Sequence, residues 1–143
     1  MSTKESFDSA EGALLRARLH IRGGRRRLMQ GKVADGIVTL YDALIFGLRF
    51  YFMIPEYRRL LDPGGSLDLS AEREMIRALR KGGVIDSDFD LEEFEGLVDR
   101  AAWDEMAGYD YRPMLKSFEF LMTQIEVMPF DEALLPAEGS STF

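Results

Sequence analysis

Apolar residues recur along most of the chain at the three-and-four spacing of a helix, and no stretch alternates at period two. The pattern predicts an all-α protein without a sheet. From Ala10 to about Gln30 the small or apolar positions Ala10, Ala13, Leu14, Ala17, Ile21 and Leu28 mark a first helix, with Gly23-Gly24 as a weak point or kink. Gly31-Lys32 makes a short turn, and a second helix runs through "VADGIVTLYDALIFGLRFYFMI" to Ile54. Pro55 stops it, because proline cannot donate to the helix and disfavours helical geometry in the residue before it.

The second helix carries the most information. Its polar residues Asp35, Thr39, Asp42 and Arg49 fall at steps of four, three and seven, which keeps them on one stripe and predicts a buried polar layer. The rest of its girth is apolar. Such a helix belongs in the middle of a bundle or against a second subunit, and Ile45, Leu48 and Phe52 are the expected dimer contacts.

Further along, "EYRRLL" reads as a short helical turn and "DPGGSLD" as a loop. A third helix follows in "LSAEREMIRALRKGG", with Ser70 as N-cap and Gly82-Gly83 as its stop. In "FDLEEF" Asp90 and Glu93 form a capping box and Phe89 can staple to Phe94, starting a fourth helix expected from about Leu91 to Met106. "MLKSFEFLMTQIEVM" is a fifth, with Met114, Phe118, Leu121 and Ile125 on one side. The expected organisation is a flexible N-terminus over 1–9, a single-domain bundle of four to five helices over 10–130, and a disordered tail over 131–143.

Composition narrows this picture. At 143 residues the chain suits one domain, and 46% hydrophobic with 30% charged residues lies in the ordinary globular range. The absence of Cys excludes disulfides, thiolate metal sites and Cys nucleophiles, and agrees with a reducing compartment. No signal-peptide core precedes the first arginines, so the cytoplasm is the expected location. Val33 to Ile54 is long enough to span a bilayer, but Asp35, Asp42 and Arg49 would each cost about 2.5–3.5 kcal/mol at its centre, so no membrane role is expected.

The net charge of −7 conceals a division: residues 1–61 carry 11 Lys/Arg and 6 Asp/Glu, and residues 62–143 carry 7 and 19, which is +5 against −12. Oppositely charged halves can pack on each other within one domain, or the basic half can face a polyanion. The basic residues concentrate at Arg16, Arg18, Arg22, Arg25, Arg26 and Arg27, a candidate polyanion-binding face. No aromatic residue lies between Leu14 and Val38 to stack on a base, which makes nucleic acid the less favoured partner.

Catalytic signals are poor. One His and no Cys leave no nucleophile–base triad beyond what His20 could supply, and no Glu-x-x-His or Walker motif occurs. The acidic run "DSDFDLEEFE" fails as a calcium loop, since the sixth and twelfth positions from Asp86 are Leu91 and Leu97 where Gly and Glu are needed. Neither metal nor cofactor is expected. Tyr41, Phe46, Phe50, Tyr51, Phe52 and Trp103 read as core or interface residues.

The stretch "RGGRRRLMQGKVADGIVTLYDAL", a helix, a Gly-containing turn and a helix with small and aromatic positions around Gly31, Ala34, Ile37, Tyr41 and Ala43, resembles the opening hairpin of HEPN-type helical bundles over residues 10–54. The resemblance implies a four- or five-helix bundle, often dimeric. Ribonuclease members of that family carry Arg, four to six residues, then His; here the only His is His20, with three residues between it and Arg16 and one between it and Arg18. The resemblance thus points to a non-catalytic member: a homodimeric protein-interaction or regulatory module, with RNA binding or cleavage on the Arg16–Arg27 face as the alternative.

Overall fold

The computed structural model describes residues 9–86 and 88–138, and among them it contains only helices: α1 Ala10–Met29, α2 Val33–Met53, α3 Pro55–Leu61, α4 Glu72–Lys81, α5 Leu91–Ala101 and α6 Arg112–Gln124, with a 3₁₀ turn Glu132–Leu134. The protein is all-α, with six helices among the described residues rather than four to five. The extra one is α3: Pro55 ends α2 and at the same time occupies the first position of a new helix, where its missing N–H costs nothing.

α1 begins at Ser9, whose hydroxyl accepts from the Gly12 amide at 3.0 Å. It runs unbroken through Gly23-Gly24, contrary to the expected kink. The chain then reverses over Gln30, Gly31 and Lys32, with Gly31 at φ +82°, a left-handed position that favours glycine. So short a turn makes α2 antiparallel to α1.

The glycines serve the packing of this hairpin. A Cβ on Gly24 would stand 2.7 Å from Leu40 Cδ2 and 3.3 Å from the Gly36 carbonyl oxygen; one on Gly36 would stand 2.7 Å from Leu28 Cδ2 and 3.0 Å from the Gly24 carbonyl oxygen. The two backbones therefore touch at this crossing. Ala13, Ala17, Ile21 and Leu28 of α1 meet Ile37, Leu40, Ala43 and Leu44 of α2 in one core, all buried.

α2 lies in the middle of the bundle. Met75 and Leu79 of α4, Phe94 of α5, and Phe118, Leu121 and Met122 of α6 join the same core, with Phe94 bridging Tyr41 and Phe118 at ring distances of 6.1 and 6.0 Å. Leu48 (0% exposed) and Phe52 (1%) are consumed here, so they are not available as dimer contacts; Ile45 is half-buried. Each such side chain contributes about 1.5–3 kcal/mol on leaving water. By length and composition α2 would also pass as a membrane span, but most of that span is buried within the protein.

Local signals set the remaining ends. Asp90 caps α5 by accepting from the Glu93 amide at 3.1 Å, and the Phe89 and Phe94 rings lie 5.6 Å apart, as the expected N-cap and staple predict. α5 stops at Ala101 rather than Met106. Asp104 accepts from the Met106 amide at 2.9 Å and Met106 turns to φ +59°, which buries its side chain off the helix. Trp103, expected in the core or at an interface, lies in this turn and is 78% exposed, so it is not a core residue. Ser70 bonds Asp68 instead of capping α4, whose N-cap is Ala71. The tail expected from 131 is placed as far as Glu138; residues 1–8 and 139–143, assigned to flexible ends, lie outside the described residues.

The hairpin contact makes a specific prediction. Gly36→Ala should cost about 1–3 kcal/mol in urea unfolding because a methyl meets the Gly24 carbonyl and Leu28. Gly96→Ala in α5, where a Cβ has open space, should instead stabilise by up to about 1 kcal/mol through helix propensity.

Candidate interaction face on the first helix

With Ala17, Gly24 and Leu28 turned to α2, the helical period carries Arg18, Arg22 and Arg25 together onto one flank of α1. There they meet the segment 125–138, which leaves α6 at Gln124, turns at Glu126 (φ +69°) and returns along α1. Arg18 Nε donates to the Val127 carbonyl at 2.9 Å, and Arg22 donates to the Pro136 carbonyl at 2.7 Å. Arg25 pairs with Glu119 of α6 at 2.8 Å and with Glu132 at 2.5 Å. Arg26 and Arg27 both bond Glu138, Arg27 at 2.8 Å. Between these contacts the Phe130 ring receives the guanidiniums of Arg18 and Arg25, 5.6 and 5.7 Å from its centroid.

Five of the six arginines expected to form a polyanion-binding face are thus engaged by residues 119–138. Arg16 alone turns inward, its guanidinium 5.5 Å from the Phe46 ring centroid. The division of charge between the halves of the chain is expressed here as an intramolecular acidic strap on a basic helix. The pKa directions follow from the contacts. Burial pushes the Glu138 carboxyl up, but bonds from Arg27 and Arg26 outweigh it and hold the group below its ordinary value. Burial lowers Arg18, which still remains charged.

The expected buried polar layer is not one. Asp35 is exposed, and only its carbonyl takes part, accepting from Thr39 Oγ1 at 2.8 Å so that buried Thr39 is satisfied within its own helix. Arg49 donates to the Leu69 carbonyl at 3.2 Å, with Asp68 close enough for its charge to be felt. Asp42 faces His20. The imidazole is 3% exposed, its Nδ1 lies 2.8 Å from the Arg16 carbonyl, which fixes the proton on that nitrogen, and its ring is 5.4 Å from Phe46. Burial raises the Asp42 carboxyl above its ordinary value, with His20 pulling it the other way.

Among the described residues no group of three or more His, Asp and Glu is arranged to hold a metal ion. The partners that sequence reasoning missed are Glu119, Phe130, Glu132 and Glu138. The signal for them was the net charge of −12 in residues 62–143, which foretold acidic cover without saying which residues supply it.

Fold and face together define a helical bundle whose basic helix is covered by residues 119–138 of its own chain. The chain matches no family model, no curated protein and no solved structure.

The two carboxylates should respond to pH in opposite senses. Glu138 is depressed in the fold, so its contribution is present above the ordinary carboxylate range and lost as pH falls through the folded value; Glu138→Gln should lower stability by up to about 1 kcal/mol near neutrality and by nothing in acid. Asp42 is raised, so the fold is favoured where it is protonated and loses that advantage as pH rises through the folded value. Asp42→Asn should therefore stabilise near neutrality, with the gain vanishing in acid. Urea unfolding over a pH series checks both.

Proposed function

We propose that the protein is a non-catalytic helical module, HEPN-like in its opening hairpin, that works in the cytoplasm by binding protein and forms a homodimer. The observation that carries this reading is Trp103. It is the single tryptophan of the chain and is 78% exposed, on the turn that follows α5. An indole left in water forgoes the burial of about 150–250 Å² of aromatic surface, and tryptophan is among the residues enriched at the energetic centres of protein interfaces.

Two further observations support binding over chemistry and protein over RNA. His20 is enclosed between α1 and Phe46 with one nitrogen committed to a backbone carbonyl, out of reach of a substrate. The arginines on which an RNA reading rests already hold Glu119, Glu132 and Glu138. Leu48 and Phe52 are spent in the core, so the dimer contact is assigned to the Trp103 surface rather than to α2.

Because there is one Trp, its emission reports this position alone. Sedimentation equilibrium should show a monomer–dimer equilibrium, with emission moving to the red on dilution as the indole returns to water. Trp103→Ala should weaken association about tenfold or more, at least about 1.4 kcal/mol, without changing the helical circular dichroism. A monomer at every concentration overturns the dimer, and an emission indifferent to association removes Trp103 from the interface.

A further inference from the structure

The strap on α1 has the composition of a bound peptide rather than of a core segment. Past Phe130 it buries little: the 3₁₀ turn Glu132–Leu134 has no buried residue, and Leu134 is 82% exposed. Its first residue, Val127, is anchored in the core; beyond that, what holds the strap is a series of polar and aromatic contacts made by arginines spread around the outer side and last turns of α1. In chain order they are the Val127 carbonyl on Arg18, the Phe130 ring against Arg18 and Arg25, Glu132 on Arg25, the Pro136 carbonyl on Arg22, and Glu138 on Arg26 and Arg27.

Such contacts are general rather than private to this chain. Two are backbone carbonyls, which any peptide offers. One is an aromatic ring meeting two guanidiniums, and two are carboxylates placed two and eight residues after it. Arginine forks bind carboxylates with defined geometry, and a face that recognises acidic short motifs is built in this way.

We propose that the arginine face of α1 is a docking surface for an extended acidic peptide segment of a partner protein, carrying an aromatic residue followed by spaced carboxylates, and that residues 127–138 occupy it in cis as a stand-in. The geometry favours a peptide over a nucleic acid because the occupant seen on the face is a peptide and two of its contacts are made by peptide groups. A tethered occupant acts at an effective concentration on the order of millimolar, so the intact strap sets a threshold that a partner segment must exceed. Weakening the strap lowers that threshold, since apparent affinity scales with the fraction of molecules whose face is open. The proposal shares with the reading above only the idea that the protein binds protein; it is carried by the strap contacts and stands apart from Trp103 and the dimer.

The test uses the full chain and a fluorescent synthetic peptide of residues 126–138, with binding followed by anisotropy. Glu132→Gln with Glu138→Gln should bind the peptide about tenfold or more tightly than the unaltered protein. Adding Arg25→Gln, Arg26→Gln and Arg27→Gln should abolish that gain, and a peptide of the same composition in scrambled order should bind poorly to every protein. Cooperative urea unfolding confirms that each variant is folded; if the arginine variant is not, the ordered and scrambled peptides compared on the glutamate variant decide the matter. Equal binding of the two peptides, or no gain on weakening the strap, overturns the proposal. So does an RNA oligomer that displaces the peptide more efficiently than unlabelled peptide does, which would assign the face to nucleic acid. Self-association is measured separately by sedimentation, so failure here leaves the Trp103 reading standing, and the reverse.

Discussion

The backbone contact between Gly24 and Gly36 is the constraint on which the rest of the structure depends. Helices can touch at a carbonyl only where neither presents a Cβ, and that contact fixes which face of α1 is turned to α2. Once Ala17, Gly24 and Leu28 point inward, the period of the helix carries Arg18, Arg22 and Arg25 onto one flank of α1, away from α2. The same contact puts α2 at the centre, where α4, α5 and α6 complete its cover. Core and arginine face are therefore two consequences of one packing choice.

The two faces of α1 differ in strength. Its inner face removes alanines, isoleucine and leucine from water, a contribution that grows with every apolar side chain enclosed. Its outer face relies on guanidinium contacts that are partly solvated, and pairs of that kind each contribute about 0–1 kcal/mol. A segment held so lightly can open while the hairpin beneath it stays folded, since opening free energies vary from near zero at such edges to the full stability in the core. Separation of a firm scaffold from a light cover is what a surface with an exchangeable occupant requires.

Legibility followed the range of the interactions. Pro55, Gly31, the Asp90 N-cap and the Phe89–Phe94 staple act within a few residues, and each could be read directly. Gly23-Gly24 misled because a glycine pair looks like a break unless the backbone it faces is known. α2's apolar girth was ambiguous between the middle of a bundle and a subunit contact, and only the positions of α4 to α6 assigned Leu48 and Phe52 to the core. Trp103 was ambiguous between core and interface in the same way, and the early end of α5 at Asp104 and Met106 leaves it outside the core. The strap was visible only as a charge imbalance, because which glutamate meets which arginine is decided by contacts some hundred residues apart.

The contact of Phe130 with Arg18 and Arg25 is the most direct witness to a covered arginine face. Nuclear Overhauser effects from the Phe130 ring to the Arg18 and Arg25 side-chain protons should be strong in dilute protein, and should vanish in isotope-filtered spectra that select contacts between differently labelled copies. Their absence, or their appearance only between copies, would contradict a basic helix covered by residues 119–138 of its own chain.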